Sequence, residues 1–358
     1  MCVSNSLGNP GLISYYDEFL TALHDDSPST TILGVSLAGH EDFEVSQPLS
    51  LQEQIENKIR IVDTIVSSAP FSSLTEDRPR LVIMGHSVGA YMSLQVLRKR
   101  PHNVDRIFLL FPTLSHISQG SNLGRVSSVV TSLPGSARVA ALFVFIMRFL
   151  LPIPLLALFV RLAHTLPGAH LSTTLAKFFN PASVQSFSHL AKYEFKEIRD
   201  LDVDTLTKYA KRVTAYYAVN DRWVPKFARE QVIQIINQNG GDAFICNEGL
   251  PHAFSLGLVS LFRPLIVVHG PQMAKKISLW LSTLLTPITK SPLLEKSEDQ
   301  ATELESEFGT ARSLPWTILD QDMDTLVNTS PDMERRPERK ESIGGGIIVR
   351  EQLIRDLE

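Results

Sequence analysis

The chain has only two cysteines, Cys2 and Cys246, in 358 residues. That excludes a disulfide framework and suits a reducing compartment. No His or Cys spacing suits zinc, and there is no glycine-rich phosphate loop and no nucleic-acid motif. No metal, cofactor or nucleic-acid partner is therefore expected. The N-terminus lacks a basic-then-apolar leader, which reads as a protein facing the cytosol. A membrane-spanning helix needs roughly 18 uncharged apolar residues, and at the apolar centre Arg148 and Arg161 leave 12. The most unusual absence is of carboxylates. From Arg106 to Tyr193 there is no Asp or Glu, while five Arg and two Lys make that stretch strongly basic. The acid is concentrated at the other end, where residues 290–358 hold nine basic against sixteen acidic residues.

What is present begins with residues 80–97. Leu81 to Met84 is a short apolar run, as expected of a strand buried on both faces. Gly85-His86-Ser87-Val88-Gly89 reads Gly-x-Ser-x-Gly, and Ala90 to Leu97 continues as good helix formers. Strand, sharp turn with serine at its apex, then helix is a nucleophile elbow. The residues two before and two after the serine must be small, because the turn crowds strand against helix. Ser87 Oγ is then expected to project into the site, with the Val88 N–H at a helix N-terminus facing a developing oxyanion.

Around the elbow, helix and strand alternate. A helix carries Tyr16, Phe19, Leu20 and Leu23, and a strand runs from Ile32 to Leu37. A helix from Gln54 to Ser67 and a strand from Arg106 to Phe111 follow, which argues for a mostly parallel sheet with helices on both faces. Residues 113–200 break this rhythm. Within them Val139 to Ala163 is almost wholly apolar, with Pro152 and Pro154 inside it. Two short helices bent at the prolines are expected, an apolar hairpin presenting Val139, Phe143, Phe145, Phe149, Leu155 and Phe159 to a lipid surface. Its arginines would meet headgroups. Two alternatives stay open, a cap folded over the site with its apolar face inward and a true span. Strands resume at Val213 to Val219 and Asp242 to Cys246, and Gln272 to Leu285 reads as a closing helix. The organisation expected is thus 1–112 and 201–289 as the two halves of the core, 113–200 as the insertion, and 290–358 as a disordered tail. In that tail Leu314 to Leu319 and Ile347 to Leu357 are apolar enough to dock or bind something, although weak, transient structure is the expectation for both.

An activated serine needs a base and a carboxylate that holds the base in the right tautomer. Asp221 follows the strand after the insertion, and His252 lies 31 residues on, just past the last short strand. Both stand where the order Ser…Asp…His requires. Asp200, Asp202 and Asp204 read as helix-capping or solvated residues. His86 is expected to point away from the pocket, and His40 to serve loop packing. Before the first helix, Leu7-Gly8-Asn9-Pro10-Gly11 is either a helix-start turn or the source of a second oxyanion donor. Pro10 has no N–H, so Asn9 N–H is the better candidate.

Several motifs, taken together, resemble the lipid droplet-associated hydrolase family. They are Leu7-Gly-Asn-Pro-Gly11, Leu37-Ala-Gly-His40, Gln54-Ile-Glu-Asn-Lys58, Gly85-His-Ser-Val-Gly-Ala-Tyr91, Phe108-Leu-Leu-Phe-Pro-Thr113, Asp221-x-Trp-x-Pro225 and Pro251-His-Ala-Phe254. The resemblance spans residues 7–285. It implies an α/β-hydrolase fold carried on lipid droplets and the cytosolic face of the endoplasmic reticulum by its apolar insertion. It implies a serine esterase or lipase acting on neutral lipid or sterol esters, with Ser87, Asp221 and His252 as its triad. A droplet-surface scaffold with vestigial turnover, and a thioesterase or peptidase with an ordinary cap, are the rival readings. In two respects the chain departs from the family. A leucine stands at position 7 where the family has proline, and the family's strands ahead of this loop have little room here. Met1 to Leu7 is too short and polar to be expected to replace them, so the front strands are expected to be missing.

Overall fold

The computed structural model describes residues 1–41, 47–68, 79–119, 122–163, 168–255, 258–259, 266–267, 269–285 and 347–350. The first half of the core runs β1 (Cys2–Ser6), α1 (Asp17–Asp26), β2 (Thr31–Val35), α2 (Leu51–Ser67), β3 (Leu81–His86), α3 (Val88–Lys99) and β4 (Arg106–Leu110). Among the described residues the α-helices that follow are α4 (Asn122–Ser132), α5 (Ser136–Leu150), α6 (Ile153–Ala163), α7 (Gly168–Thr173) and α8 (Pro181–Glu197). The second half is α9 (Val203–Tyr209), β5 (Val213–Ala218), α10 (Lys226–Gln238) and β6 (Asp242–Cys246). A two-stranded antiparallel pair, β7 (Leu258–Val259) and β8 (Ile266–Val267), precedes α11 (Gly270–Leu285), and β9 (Ile347–Arg350) lies in the tail.

The main sheet has the order β6-β5-β4-β3-β1-β2-β9, every pair parallel. Strands β3 and β4 are apolar at most positions, as a sheet covered on both faces favours. Leu81, Ile83, Ile107, Leu109, Val213 and Ala215 face one way, into a core shared with residues of α2, α3, α9 and α10. On the other face α1 brings Leu20 against Gly34 of β2, so closely that a Cβ there would lie 2.9 Å from Leu20 Cδ1. Helix α2 starts on a capping box, in which Ser50 and Glu53 satisfy each other's backbone N–H.

The expected lack of a strand entering the Gly8-Asn9-Pro10-Gly11 loop is corrected. Cys2–Ser6 is that strand, paired in register with β2 on one side and β3 on the other. Its polarity misleads because the test for a central strand is backbone pairing, and both edges of β1 are satisfied. Ser4, Asn5 and Ser6 are small enough to be buried there.

The apolar insertion breaks where the prolines lie, α5 ending at Leu150 and α6 beginning at Ile153. No single described helix is long and apolar enough to cross a membrane, although α4 and α5, bent by 96°, pass that test as a pair. Helix α5 buries Ala141 and Val144, one helical turn apart, and exposes Val139, Phe143, Phe145 and Phe149, the last at 81 %. Leu155 of α6 is also exposed; the side chain of Phe159 lies outside the described residues. Arg148 uses its guanidinium on the carbonyl oxygens of Leu175 (3.1 Å) and Phe179 (2.9 Å). The expectation of disorder after residue 290 falls almost entirely outside the described residues. Within that stretch, Ile347–Arg350 lies parallel to β2.

Candidate active site

Ser87 sits between β3 and α3 with φ 54° and ψ −121°, a conformation that an L-residue tolerates only when its surroundings enforce it. Those surroundings are visible at the two flanking glycines. A Cβ on Gly85 would lie 2.6 Å from Ala90 Cα, and one on Gly89 would collide with the carbonyl oxygen of Ser6. The Ser87 N–H donates to Leu110 O (3.0 Å), and its carbonyl accepts from Ala90 (3.0 Å). The elbow is thus pinned to β4 and to the first turn of α3.

The structure brings Asp221 and His252 to this serine. His252 Nε2 lies 2.9 Å from Ser87 Oγ, and His252 Nδ1 lies 2.7 Å from Asp221 Oδ2. Asp221 follows β5, and its side chain is buried, with 1 % exposed. Its other oxygen, Oδ1, accepts from the backbone N–H groups of Trp223 (2.8 Å) and Val224 (3.2 Å). The carboxylate therefore cannot turn, and Oδ2 is left for the imidazole. A carboxylate only accepts, so Nδ1 carries the proton and the Nε2 lone pair faces the serine hydroxyl. This arrangement can take a proton from Ser87 Oγ and return it.

The Gly8–Gly11 loop lies against the serine. A Cβ on Gly8 would be 2.9 Å from Ser87 Cβ, so only glycine lets the loop come this close. The loop is closed by Gly11 N–H donating to Gly8 O (2.7 Å), and Asn9-Pro10 is cis. Asn9 follows Gly8 in that loop, and Val88 opens α3. Among the described residues no protein acceptor engages either backbone N–H. Of the two candidate oxyanion donors, Val88 directly follows the serine and Asn9 directly follows the glycine that packs against it.

His86 plays a larger part than its sequence position suggests. Its ring is buried and packs at 5.4 Å from the His252 ring and 5.0 Å from Phe254. Its Nε2 lies 2.7 Å from the His252 backbone oxygen, which can only accept, so that nitrogen carries the proton. Its Nδ1 then accepts from the Tyr16 hydroxyl (2.5 Å), whose oxygen accepts from Gly8 N–H (3.3 Å). One directed chain of hydrogen bonds thus ties the Gly8 loop to the His252 loop beneath the serine. It requires a neutral ring, and burial pushes the His86 pKa down to about 3. His40 is buried as expected of loop packing, its Nδ1 donating to Pro10 O (2.6 Å). Asp202 caps α9 by accepting from Thr205 N–H (3.1 Å).

Sequence reasoning missed Tyr16 and Glu194. Glu194 on α8 is buried and accepts from Asn9 Nδ2 at 2.7 Å. A signal existed, because Glu194 is the first carboxylate after the long acid-free stretch. Among the described residues no group of three or more His, Cys, Asp or Glu could hold a metal ion.

The sequence model of the lipid-droplet associated hydrolase family matches residues 5–255. The chain belongs to this family. It is 28 % identical over 265 residues to a lipid droplet-associated hydrolase of Pongo abelii, covering 69 % of this chain and 77 % of that protein. To one of Dictyostelium discoideum it is 24 % identical over 281 residues, covering 77 % and 85 %. Among solved structures, a carboxylesterase of the thaumarchaeon Nitrososphaera gargenis superposes with a TM-score of 0.50 at 15 % identity, covering 79 % of this chain and 89 % of that one. A thermophilic esterase of Thermogutta terrifontis gives 0.50 at 13 %, covering 80 % and 91 %. At such identities these likenesses speak for the fold, which is that of the α/β-hydrolases.

Proposed function

We propose that this protein is a serine hydrolase that cleaves carboxylic esters of neutral lipids or sterols at a lipid surface. The observation that carries the reading is the unbroken chain Ser87 Oγ, His252, Asp221, at 2.9 and 2.7 Å, on a strained elbow. In the mechanism Ser87 Oγ attacks the ester carbonyl while His252 Nε2 takes its proton. Asp221 holds the imidazole in its tautomer and stabilises the imidazolium that forms. The Val88 and Asn9 N–H groups receive the oxyanion. His252 then gives the proton to the leaving alcohol, and a water activated by the same imidazole releases the acyl group.

The lipid part rests on α5 and α6 and on the family's name. These helices have 15 and 11 residues, about 22 and 16 Å at 1.5 Å per residue, short of the ~30 Å core of a bilayer. Helices bent at Pro152, with the aromatic side chains of α5 outward, suit lying in the interface of one leaflet with the apolar face immersed by ~5–10 Å. A droplet monolayer and the cytosolic leaflet of the endoplasmic reticulum both offer that.

The test is labelling of purified protein with a fluorophosphonate. The wild type is expected to label, and Ser87→Ala to lose all labelling while keeping its binding to neutral-lipid droplets. Labelling of Ser87→Ala at the wild-type level refutes the assignment. A wild type that binds droplets and never labels favours the scaffold reading, which the exposed apolar face of α5 supports independently of the site.

A further inference from the structure

Helix α8 holds the Gly8–Gly11 loop from two directions. Directly, Asn9 Nδ2 donates to Glu194 Oε1 at 2.7 Å and to the Phe187 carbonyl oxygen at 3.0 Å. An amide nitrogen has two hydrogens, so both are committed to α8. Indirectly, Ser183 and Ser186 donate their hydroxyls to His40 O (2.6 Å) and Gly39 O (2.7 Å), and His40 in turn donates to Pro10 O. Burying a carboxyl group against a neutral amide is costly, and here burial pushes the Glu194 pKa up to about 7. Packing does not call for that expense, since an apolar residue of the same volume would fill the space.

The amide of Asn9 lies one bond from the Cα that carries this anchored side chain. Fixing the side chain therefore fixes the direction of the backbone N–H beside Ser87. We propose that Glu194 is a positioning residue of the acyl-transfer reaction, acting through the Asn9 side chain to hold the Asn9 N–H in the oxyanion site. The inference rests on the hydrolase reading above. The part it adds is that the donor is set from the insertion, by a helix that comes some hundred residues after the serine.

Glu194→Leu removes the acceptor, whereas Glu194→Gln keeps an oxygen for Asn9 Nδ2. Both are assayed as full chains with a soluble p-nitrophenyl ester, and with a trifluoromethyl ketone whose serine adduct places an oxyanion in the site. Removing an oxyanion donor costs ~100-fold or more in kcat, and disorienting one is expected to cost ~10-fold or more. Glu194→Leu should show that loss in kcat, keep KM within about twofold, and weaken inhibition by the ketone by the same factor as kcat/KM. Glu194→Gln should stay within about threefold of wild type in all three, the neutral amide replacing the acceptor. Asn9→Ala should match Glu194→Leu, and the double variant should lose no more than either, because the two act as one unit. Wild-type kcat in Glu194→Leu overturns the proposal, as does a kcat loss without loss of ketone affinity. If Glu194→Leu does not fold, Asn9→Ala decides, and wild-type kcat in that variant overturns it equally. Absence of fluorophosphonate labelling in the wild type would instead remove the hydrolase reading on which it stands.

Discussion

Replacing Asp221 by Asn tests the site at its most constrained point. Asp221 Oδ1 accepts two backbone N–H groups, from Trp223 and Val224, so in Asp221→Asn the amide oxygen must stay on that side. Its NH2 group is then forced toward His252 Nδ1, where Oδ2 now stands at 2.7 Å. A donor facing Nδ1 makes that nitrogen the acceptor and moves the imidazole proton to Nε2, 2.9 Å from Ser87 Oγ. The base then points a hydrogen at the hydroxyl it should deprotonate. This tautomer inversion costs ~10⁴-fold in kcat in a triad of this kind, about 5 kcal/mol of transition-state stabilisation. Because both backbone N–H groups keep their acceptor, the melting temperature should move by less than about 2 °C, below the ~2–5 °C that leaving a buried group unsatisfied would give a domain of this size. The assay is hydrolysis of a soluble p-nitrophenyl ester beside a melting curve on the same preparation. A loss under tenfold with the fold intact would refute the proposed roles of Asp221 and His252. A loss accompanied by unfolding would refute the argument that the backbone N–H groups fix the carboxylate.

Two more expectations follow from other parts of the molecule. Lys58 Nζ is buried against the carbonyl oxygens of Val35 (3.3 Å) and Ser36 (3.5 Å), and burial pushes its pKa down to about 8. A lysine in the unfolded chain titrates near 10.4, so from about pH 8 to 10.4 the unfolded state binds more protons and stability rises with pH, by about 3 kcal/mol across the window. In urea titrations at pH 7.5 and 10, Lys58→Met should lack that component of the rise; an equal rise in both proteins refutes it. On the apolar hairpin, Phe143→Asp with Phe149→Asp should weaken sedimentation with neutral-lipid droplets ~10-fold or more, two desolvated aromatics having become charges. Ester hydrolysis in solution should stay within about twofold, and droplet binding at the wild-type level would remove this face from the lipid contact.

Much of the site was legible because its chemistry forces local sequence. The elbow needs small residues at fixed offsets, and Gly85 and Gly89 meet backbone and side chain within contact distance. Asp221 and His252 were read from their order and their places after strands, and the structure sets both in line with Ser87 at hydrogen-bond distance. The break at Pro152 was likewise legible, since proline removes a donor within the helix. Strand β1 was not, because its residues carry little hydrophobic signal and its stability comes from two neighbours far along the chain. Nor were the partners of Tyr16 and Glu194, whose bonds to His86 and Asn9 join residues 70 and 185 positions apart. Such pairings leave no periodicity to read. The apolar insertion was legible in composition, but not in the fact that its last helix reaches back to the loop beside the serine.

That reach makes the insertion inseparable from the core in a particular sense. A chimaera that grafts residues 113–200 from a relative would import a foreign helix α8 against the native Gly8–Gly11 loop and the native Leu37–His40 loop. Ser183, Ser186 and the carbonyl of Phe187 would then need counterparts in register with loops they had never met. The exchangeable unit is therefore smaller and lies upstream. Helix α5 packs along α8, and Arg148 is tied to the carbonyl oxygens of Leu175 and Phe179. What can be exchanged is thus the outward face of α5, Val139, Phe143, Phe145 and Phe149, while α8 and the two loops form one structural block.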